Sequence, residues 1–77
     1  MIRIPDLIEL VQAKIPDAEV NAMDKTGMSD HFIIHVVSKE FEGKNVMERH
    51  RMVHACLTDA MKDGRVHAAE IKTDVPA

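Results

Sequence analysis

The sequence has few of the residues that several functional classes require. Its 77 residues include one cysteine, two phenylalanines, and neither tryptophan nor tyrosine. A single cysteine excludes an internal disulfide and a metal site built only from cysteines of one chain. Two aromatic side chains cannot provide the several stacking platforms that hold single-stranded nucleic acids. No glycine-rich phosphate loop or nucleophile elbow is present, so we predict that the protein is not an enzyme.

The length and the net charge limit the number of domains and the kinds of binding partner that we expect. Seventy-seven residues suit one domain, which we place at residues 1–77. The net charge of −3 gives no overall reason to bind nucleic acid or an acidic membrane. No apolar run approaches the roughly 20 residues of a membrane span, and residues 1–10 lack the features of a secretory signal. With one unpaired cysteine, we expect a cytoplasmic protein without a membrane partner.

The hydrophobic pattern predicts five elements in the order α-β-β-α-β. Apolar residues recur at helical spacing over residues 5–15 and 46–63, whereas residues 18–24, 31–38 and 65–73 have strand character. The short connection between the first two strands favours an antiparallel hairpin, and the second helix allows a crossover to the third strand. The predicted fold is therefore an α+β two-layer domain, a three-stranded mixed sheet with both helices on one face.

The second helix carries the clearest local signals. Asn45 is a predicted N-cap with Glu48 three residues later, and Gly64 is a natural C-terminal stop. Cys56 lies between apolar positions, where we expect a half-buried thiol that nothing activates. The predicted buried stripe consists of Val46, Val53, Leu57, Ala60 and Met61.

Two histidines lie on this helix. Their spacing places His50 and His54 on one helix face, which would suit a metal ion. Arg49 and Arg51 flank His50 and disfavour a divalent cation there. This face is therefore predicted to be a solvated basic surface or a partner-binding surface.

The other three histidines belong to predicted strands. His31 and His35 share one strand face with Ile33 between them, which favours a packed or rim position. His67 lies near the start of the last strand and borders the core. A neutral imidazole at such a rim is either a boundary residue or a ligand for a borderline metal.

A local basic stripe keeps nucleic acid open as a ligand. Residues 31–77 contain equal numbers of basic and acidic residues, so the net negative charge lies in the first thirty. Lys44, Arg49 and Arg51 cluster near the start of the second helix. However, residues 43–46 read Gly-Lys-Asn-Val and lack the GxxG loop with which KH modules clamp RNA.

Two blocks of the sequence resemble the BolA family. The central block is DHFIIHVVSKEFEGKNVMERHRMVHACL, and the closing block is RVHAAEIKTDVP, in which a His-Ala pair opens the last strand. The resemblance implies a KH-like fold with the helix first. It also implies partnership with a monothiol (CGFS-type) glutaredoxin, in which the two proteins hold a bridging 2Fe–2S cluster. In that family the glutaredoxin supplies a cysteine and a glutathione thiol, and the BolA-like protein supplies the histidine that corresponds to His67.

The resemblance also suggests the remaining site residues. Many family members place a second ligand, cysteine or histidine, in the loop between the first two strands. The loop at residues 24–30 contains neither, so the nearest candidate is His31. The expected docking surface combines His67 with Arg49, His50 and Arg51.

A DNA-binding role is the alternative that the resemblance leaves open. Some family members are small DNA-binding transcriptional regulators. In that role Lys44, Arg49, Arg51 and Lys72 would contact phosphates. The sequence is also compatible with a homodimer.

Overall fold

The computed structural model describes residues 2–25, 31–66 and 68–77. Its elements are α1 (Ile4–Lys14), β1 (Glu19–Asp24), β2 (His31–Val37), a 3₁₀ turn (Lys39–Phe41), α2 (Val46–Lys62) and β3 (Ala68–Asp74). The predicted order of helices and strands is confirmed. Two features singled out in the sequence, His67 and residues 26–30 of the loop between the first two strands, lie outside the described residues.

The three strands form one mixed sheet in the order β1-β2-β3. β1 pairs with β2 in antiparallel fashion, with Met23 opposite Ile33. β2 pairs with β3 in parallel, with His31 opposite Ala68. Parallel neighbours need a crossover, which α2 provides. The predicted mixed sheet is therefore confirmed.

The core lies between the sheet and the two helices. Alternate residues of β2 are buried, and their side chains face the helices. The buried residues of the core cluster that belong to the helices and β2 are Leu7, Val11, Phe32, Ile34, Val36, Val53, Cys56, Leu57 and Ala60. Both helices pack on one face of the sheet, and none of the described helices covers its other face, which we call the open face.

Both predicted ends of α2 are confirmed. The Asn45 side-chain oxygen accepts the backbone N–H of Glu48 at 2.9 Å, which satisfies one of the unpaired donors at the helix start. Gly64 follows the helix with φ of +83°, a left-handed conformation that glycine adopts without a steric penalty.

The prediction that Val46 is buried is wrong, because its side chain is 74% exposed. The helices run antiparallel: the backbone N–H of Ile2 donates to the Arg65 carbonyl, while the Lys14 ammonium donates to the Ala55 carbonyl. α1 thus ends opposite the middle of α2. The first two turns of α2 extend beyond α1, so Val46 occupies a stripe position with nothing to pack against.

The third strand begins at Ala68, three residues later than predicted. The backbone N–H of Val66 donates to the Ala60 carbonyl, and that of Arg65 donates to the Asp63 carboxylate. These bonds complete the end of α2 and keep residues 65 and 66 out of the sheet. The bond from the Arg65 N–H is also the main reason that the pKa of Asp63 is lowered.

Asp17 ties the α1–β1 connection to the end of β2. The buried Ser38 hydroxyl donates to one oxygen of Asp17 at 2.6 Å, and the backbone N–H of Lys39 donates to the other at 2.9 Å. Ser38 also accepts the backbone N–H of Glu40 and thereby caps the 3₁₀ turn. The hydrogen bond from Ser38, followed by that from Lys39, lowers the pKa of the Asp17 carboxyl below its ordinary value.

This lowered pKa predicts an acid-sensitive contribution to folding. A carboxyl with a lower pKa in the folded state stabilises the protein above its unfolded pKa, and this stabilisation is lost as pH falls through the folded pKa. We expect Asp17→Asn to unfold at lower urea concentration at pH 7, and to lose less further stability than the parent protein below about pH 4. Urea unfolding followed by circular dichroism from pH 7 to pH 3 measures both effects.

A matched control is Asp59→Asn, which removes an exposed carboxylate from α2 that has no hydrogen bond or ion pair among the described residues. Its stability at pH 7 should equal that of the parent. If Asp17→Asn and the parent lose stability in parallel below pH 4, Asp17 is not the group responsible.

Candidate functional site

The first candidate region is the end of the sheet where β2 and β3 begin. His31 is half-buried there, and its register partner is Ala68, the residue that follows His67 in the sequence. His67 itself lies outside the described residues. A small depression at this end is lined by Lys25, His31, Phe32, Ala68, Ala69 and Glu70. The sheet thus places the His31 imidazole, the candidate for the second ligand, across from the residue that follows His67 in the sequence.

An ion pair borders this depression. The Lys25 ammonium lies 2.7 Å from a carboxylate oxygen of Glu70, and this hydrogen bond lowers the pKa of Glu70. Because β2 lies between β1 and β3, the Lys25 side chain crosses the open face of the sheet to reach Glu70. The two residues are 45 positions apart in the sequence, so no local pattern could have predicted the pair.

The one described imidazole at this end, that of His31, has the chemistry of an iron ligand in a mixed coordination shell. Histidine nitrogen binds iron beside thiolate ligands in known iron–sulfur centres. The described residues contain no group of three or more His, Cys, Asp or Glu side chains that could hold a metal ion. A cluster bound at His31 would therefore take further ligands from outside those residues.

The second candidate region is the start of α2. Arg49 is half-buried, and its Nε donates to the carbonyls of Phe41 at 3.1 Å and Lys44 at 2.9 Å. Arg49 thus holds the loop that precedes the helix, a role that sequence reasoning missed. The next two side chains, His50 and Arg51, are exposed.

Two large apolar side chains extend this region. Val46 is 74% exposed and Met47 is 61% exposed, beside His50 and Arg51 in the first two turns of α2. We call these four residues the α2 N-terminal surface. Exposed apolar side chains bordered by basic groups are typical of protein-binding surfaces.

The two regions lie at opposite ends of the sheet. β2 begins at His31, and its other end leads into the 3₁₀ turn whose Phe41 carbonyl accepts the Arg49 Nε. Seven strand residues span about 23 Å. The structure therefore does not bring His31 together with Arg49, His50 and Arg51 in one compact patch.

The four candidate phosphate contacts also divide into two groups. Lys44 and Arg49 lie together at the start of α2, with Arg51 in the same two turns. Lys72 lies in β3 opposite His35, and both side chains are on the open face of the sheet. DNA binding would therefore have to use the start of α2 without Lys72.

The remaining candidate residues, His35, His54 and Cys56, lie outside both candidate regions. His35 Nε2 lies 2.8 Å from an Asp74 carboxylate oxygen, and His54 is exposed on α2. Cys56 is more deeply buried than predicted, with 7% of its surface exposed, and its thiol donates to the Met52 carbonyl. Burial raises the pKa of the Cys56 thiol. Cys56 therefore packs in the core and is not available as a ligand.

Fold and site together define a small α+β domain with candidate binding regions at its two ends. No helix among the described residues is long and apolar enough to cross a membrane. The sequence profile of the BolA-like protein family matches residues 10–77. The chain belongs to the BolA-like family.

Individual relatives agree with this assignment. Human BolA-like protein 2 is 39% identical over 72 residues, which cover 91% of this chain and 81% of the human protein. Arabidopsis thaliana protein BOLA2 is 50% identical over 46 residues, covering 60% of this chain and 47% of that protein. The chain spans about half or less of the length of several curated relatives.

A solved structure confirms the fold. BolA1 from Arabidopsis thaliana superimposes with a TM-score of 0.84 at 30% sequence identity, covering 99% of this chain and 94% of that one. The predicted α+β architecture with its three-stranded mixed sheet is therefore that of the BolA-like proteins.

Proposed function

We propose that this protein is a non-enzymatic partner of a monothiol (CGFS-type) glutaredoxin and shares a bridging 2Fe–2S cluster with it. The observation that carries the proposal is the position of His31 at the start of β2, directly opposite the residue that follows His67. Membership of the BolA-like family supports it. The process served would be iron–sulfur cluster trafficking or iron regulation.

In this proposal His67 supplies an imidazole ligand to one iron, and His31 is the candidate for a second. The glutaredoxin cysteine and glutathione supply the thiolates. A 2Fe–2S centre provides one-electron chemistry and a transferable unit, and imidazole in place of thiolate raises its potential. This chain would contribute imidazole at the end of the sheet where β2 begins, and its partner would supply the other half of the site.

The α2 N-terminal surface is proposed as a second, separate contact. Its apolar side chains, Val46 and Met47, would be covered by the partner, and Arg51 would face an acidic side chain. Arg49 is assigned to positioning the preceding loop, because its Nε already bonds two backbone carbonyls. Loss of docking and loss of cluster ligation should therefore be separable by mutation.

Anaerobic reconstitution with a monothiol glutaredoxin and glutathione tests the ligand assignment. We expect His67→Ala to change the visible circular dichroism bands of the cluster and to shorten its lifetime in the complex. His31→Ala should change the same bands if His31 is the second ligand. The measurement is visible circular dichroism, together with iron and sulfide content per heterodimer.

The matched control is His54→Ala, which removes an exposed histidine from α2, away from the start of the strands. It should leave the bands unchanged, and far-ultraviolet circular dichroism should show that all three variants are folded. Cluster bands in His67→Ala that are identical to those of the parent would refute the ligand assignment.

A further inference from the structure

The outer edge of β3 offers a third interaction surface, apart from the two candidate regions described above. β3 is paired with β2 on one side, and the described residues place no strand on its other side. The Asp74 carbonyl accepts the backbone N–H of Ser38 at 3.1 Å, so the backbone groups of Asp74 point toward β2. Because this direction alternates along a strand, Ala69, Ile71 and Thr73 direct their N–H and C=O groups outward. An edge of this kind is a template for pairing with another strand.

The side chains of β3 make this edge complementary to itself. If two copies pair in antiparallel fashion about a twofold axis at Ile71, Ile71 lies opposite its own copy and Ala69 lies opposite Thr73 of the second copy. The outward N–H and C=O groups of Ala69, Ile71 and Thr73 can therefore all form hydrogen bonds with the second copy. Glu70 then lies opposite Lys72 of the second copy, and the symmetry repeats this pair.

The positions of these charges within the ladder favour ion pairs. Glu70 and Lys72 occupy the pairs that exchange no backbone hydrogen bonds, where opposite side chains come closest. Both lie on the open face of the sheet. Lys72 has no ion pair of its own among the described residues. The Lys25 bond uses Oε1 of Glu70, and a carboxylate can accept further hydrogen bonds.

The neighbouring registers are electrostatically unfavourable. An axis at Glu70 would place this carboxylate against its own copy. An axis at Lys72 would place two ammonium groups together and Glu70 against Asp74. Like charges directly opposite each other destabilise a sheet, so the charges of β3 favour the register centred on Ile71 over these two neighbours.

We propose that the outer edge of β3 is a homodimer interface, in which two copies of this chain form one continuous six-stranded sheet. The occupant is a second copy, because antiparallel pairing of two β3 strands places Glu70 of each copy opposite Lys72 of the other. The proposal does not depend on the glutaredoxin hypothesis. Ala68 of the two copies would lie about 20 Å apart along the paired strands, so each copy would keep its own His31 end.

Sedimentation equilibrium of the full chain at low ionic strength tests the proposal. We expect the weight-average mass to rise from 8.7 kDa toward twice that value between about 10 µM and about 1 mM protein. Lys72→Glu and Glu70→Lys each place like charges in both pairs and should weaken dimerisation at least about tenfold. Lys62→Glu makes the same charge change at an exposed position of α2 and should dimerise like the parent.

Mixing the two weakened variants gives the sharpest result. One then carries two lysines and the other two glutamates at positions 70 and 72, so an equimolar mixture should form a heterodimer. The double exchange Glu70→Lys with Lys72→Glu should also restore the homodimer. A parent protein that stays monomeric throughout, Lys72→Glu that dimerises like the parent, or a mixture that stays monomeric would each overturn the proposal.

Discussion

Replacement of Phe41 with alanine is expected to lower the free energy of unfolding by about 3–5 kcal/mol. The Phe41 side chain is fully buried, although it belongs to a three-residue 3₁₀ turn between β2 and α2. It joins the core cluster at the end where α2 extends beyond α1. A domain of this length has a total stability of only about 4–11 kcal/mol, so this single change removes a large part of it. Urea unfolding followed by far-ultraviolet circular dichroism measures the loss.

Phe41→Leu is the matched control. It keeps an apolar side chain in the cavity and should cost less than about 1.5 kcal/mol if the neighbours repack. A loss below about 1 kcal/mol for Phe41→Ala would show that the turn does not depend on this side chain, in contradiction to its complete burial.

Replacement of Arg49 with alanine is expected to cost about 2–3 kcal/mol. The charged Nε donates to two carbonyls of the loop before α2, and hydrogen bonds from charged donors contribute more than neutral ones. Removing the side chain leaves the carbonyls of Phe41 and Lys44 without this donor. Unfolding in urea at pH 7 gives the change in free energy.

Arg51→Ala is the control for this effect, because Arg51 is exposed and no hydrogen bond to its side chain is present among the described residues. Its effect on stability should stay within about 0.5 kcal/mol. The two variants also separate positioning from docking. Equal stability of Arg49→Ala and the parent, combined with weaker binding of the proposed glutaredoxin partner, would mean that Arg49 contacts the partner and does not hold the loop.

The elements that could be predicted from sequence are those fixed by local chemistry. The residue pattern identified β2 as a strand and separated its two faces, since side chains on a strand alternate between two sides. Asn45 and Gly64 marked the ends of α2, because capping depends on residues within one turn of the helix. These signals predict the order of elements, and the short hairpin connection and the helical crossover predict the mixed sheet.

The errors arise where distant packing decides the outcome. Val46 fits the apolar stripe of α2, but the length of α1 leaves it without a neighbour. Residues 65 and 66 have strand character, but their backbone groups complete the end of α2. Helical periodicity indicates which face is apolar, and it does not show how far the opposing helix reaches.

The candidate site was predictable only in part. The pattern of β2 places His31 at the start of a strand, whereas the pairing of β2 with β3 is needed to bring it opposite Ala68. The Asp17–Ser38 bond joins residues 21 positions apart. Such a bond depends on where the chain folds back, and the residue types Asp and Ser do not indicate which residues will pair. The role of His67 remains a prediction.

The burial of Cys56 limits the reaction of this thiol with oxidised partners. Thiol–disulfide exchange begins with attack by a thiolate, which requires both ionisation and access to the other sulfur. In the folded state the raised pKa of Cys56 opposes ionisation of the thiol, and its 7% exposure prevents access to another sulfur. Cys56 is the only cysteine of the chain, so the folded protein presents no reactive thiol to an oxidised partner. Mixed disulfides with small thiols should therefore form only after local opening of the contact between α1 and α2.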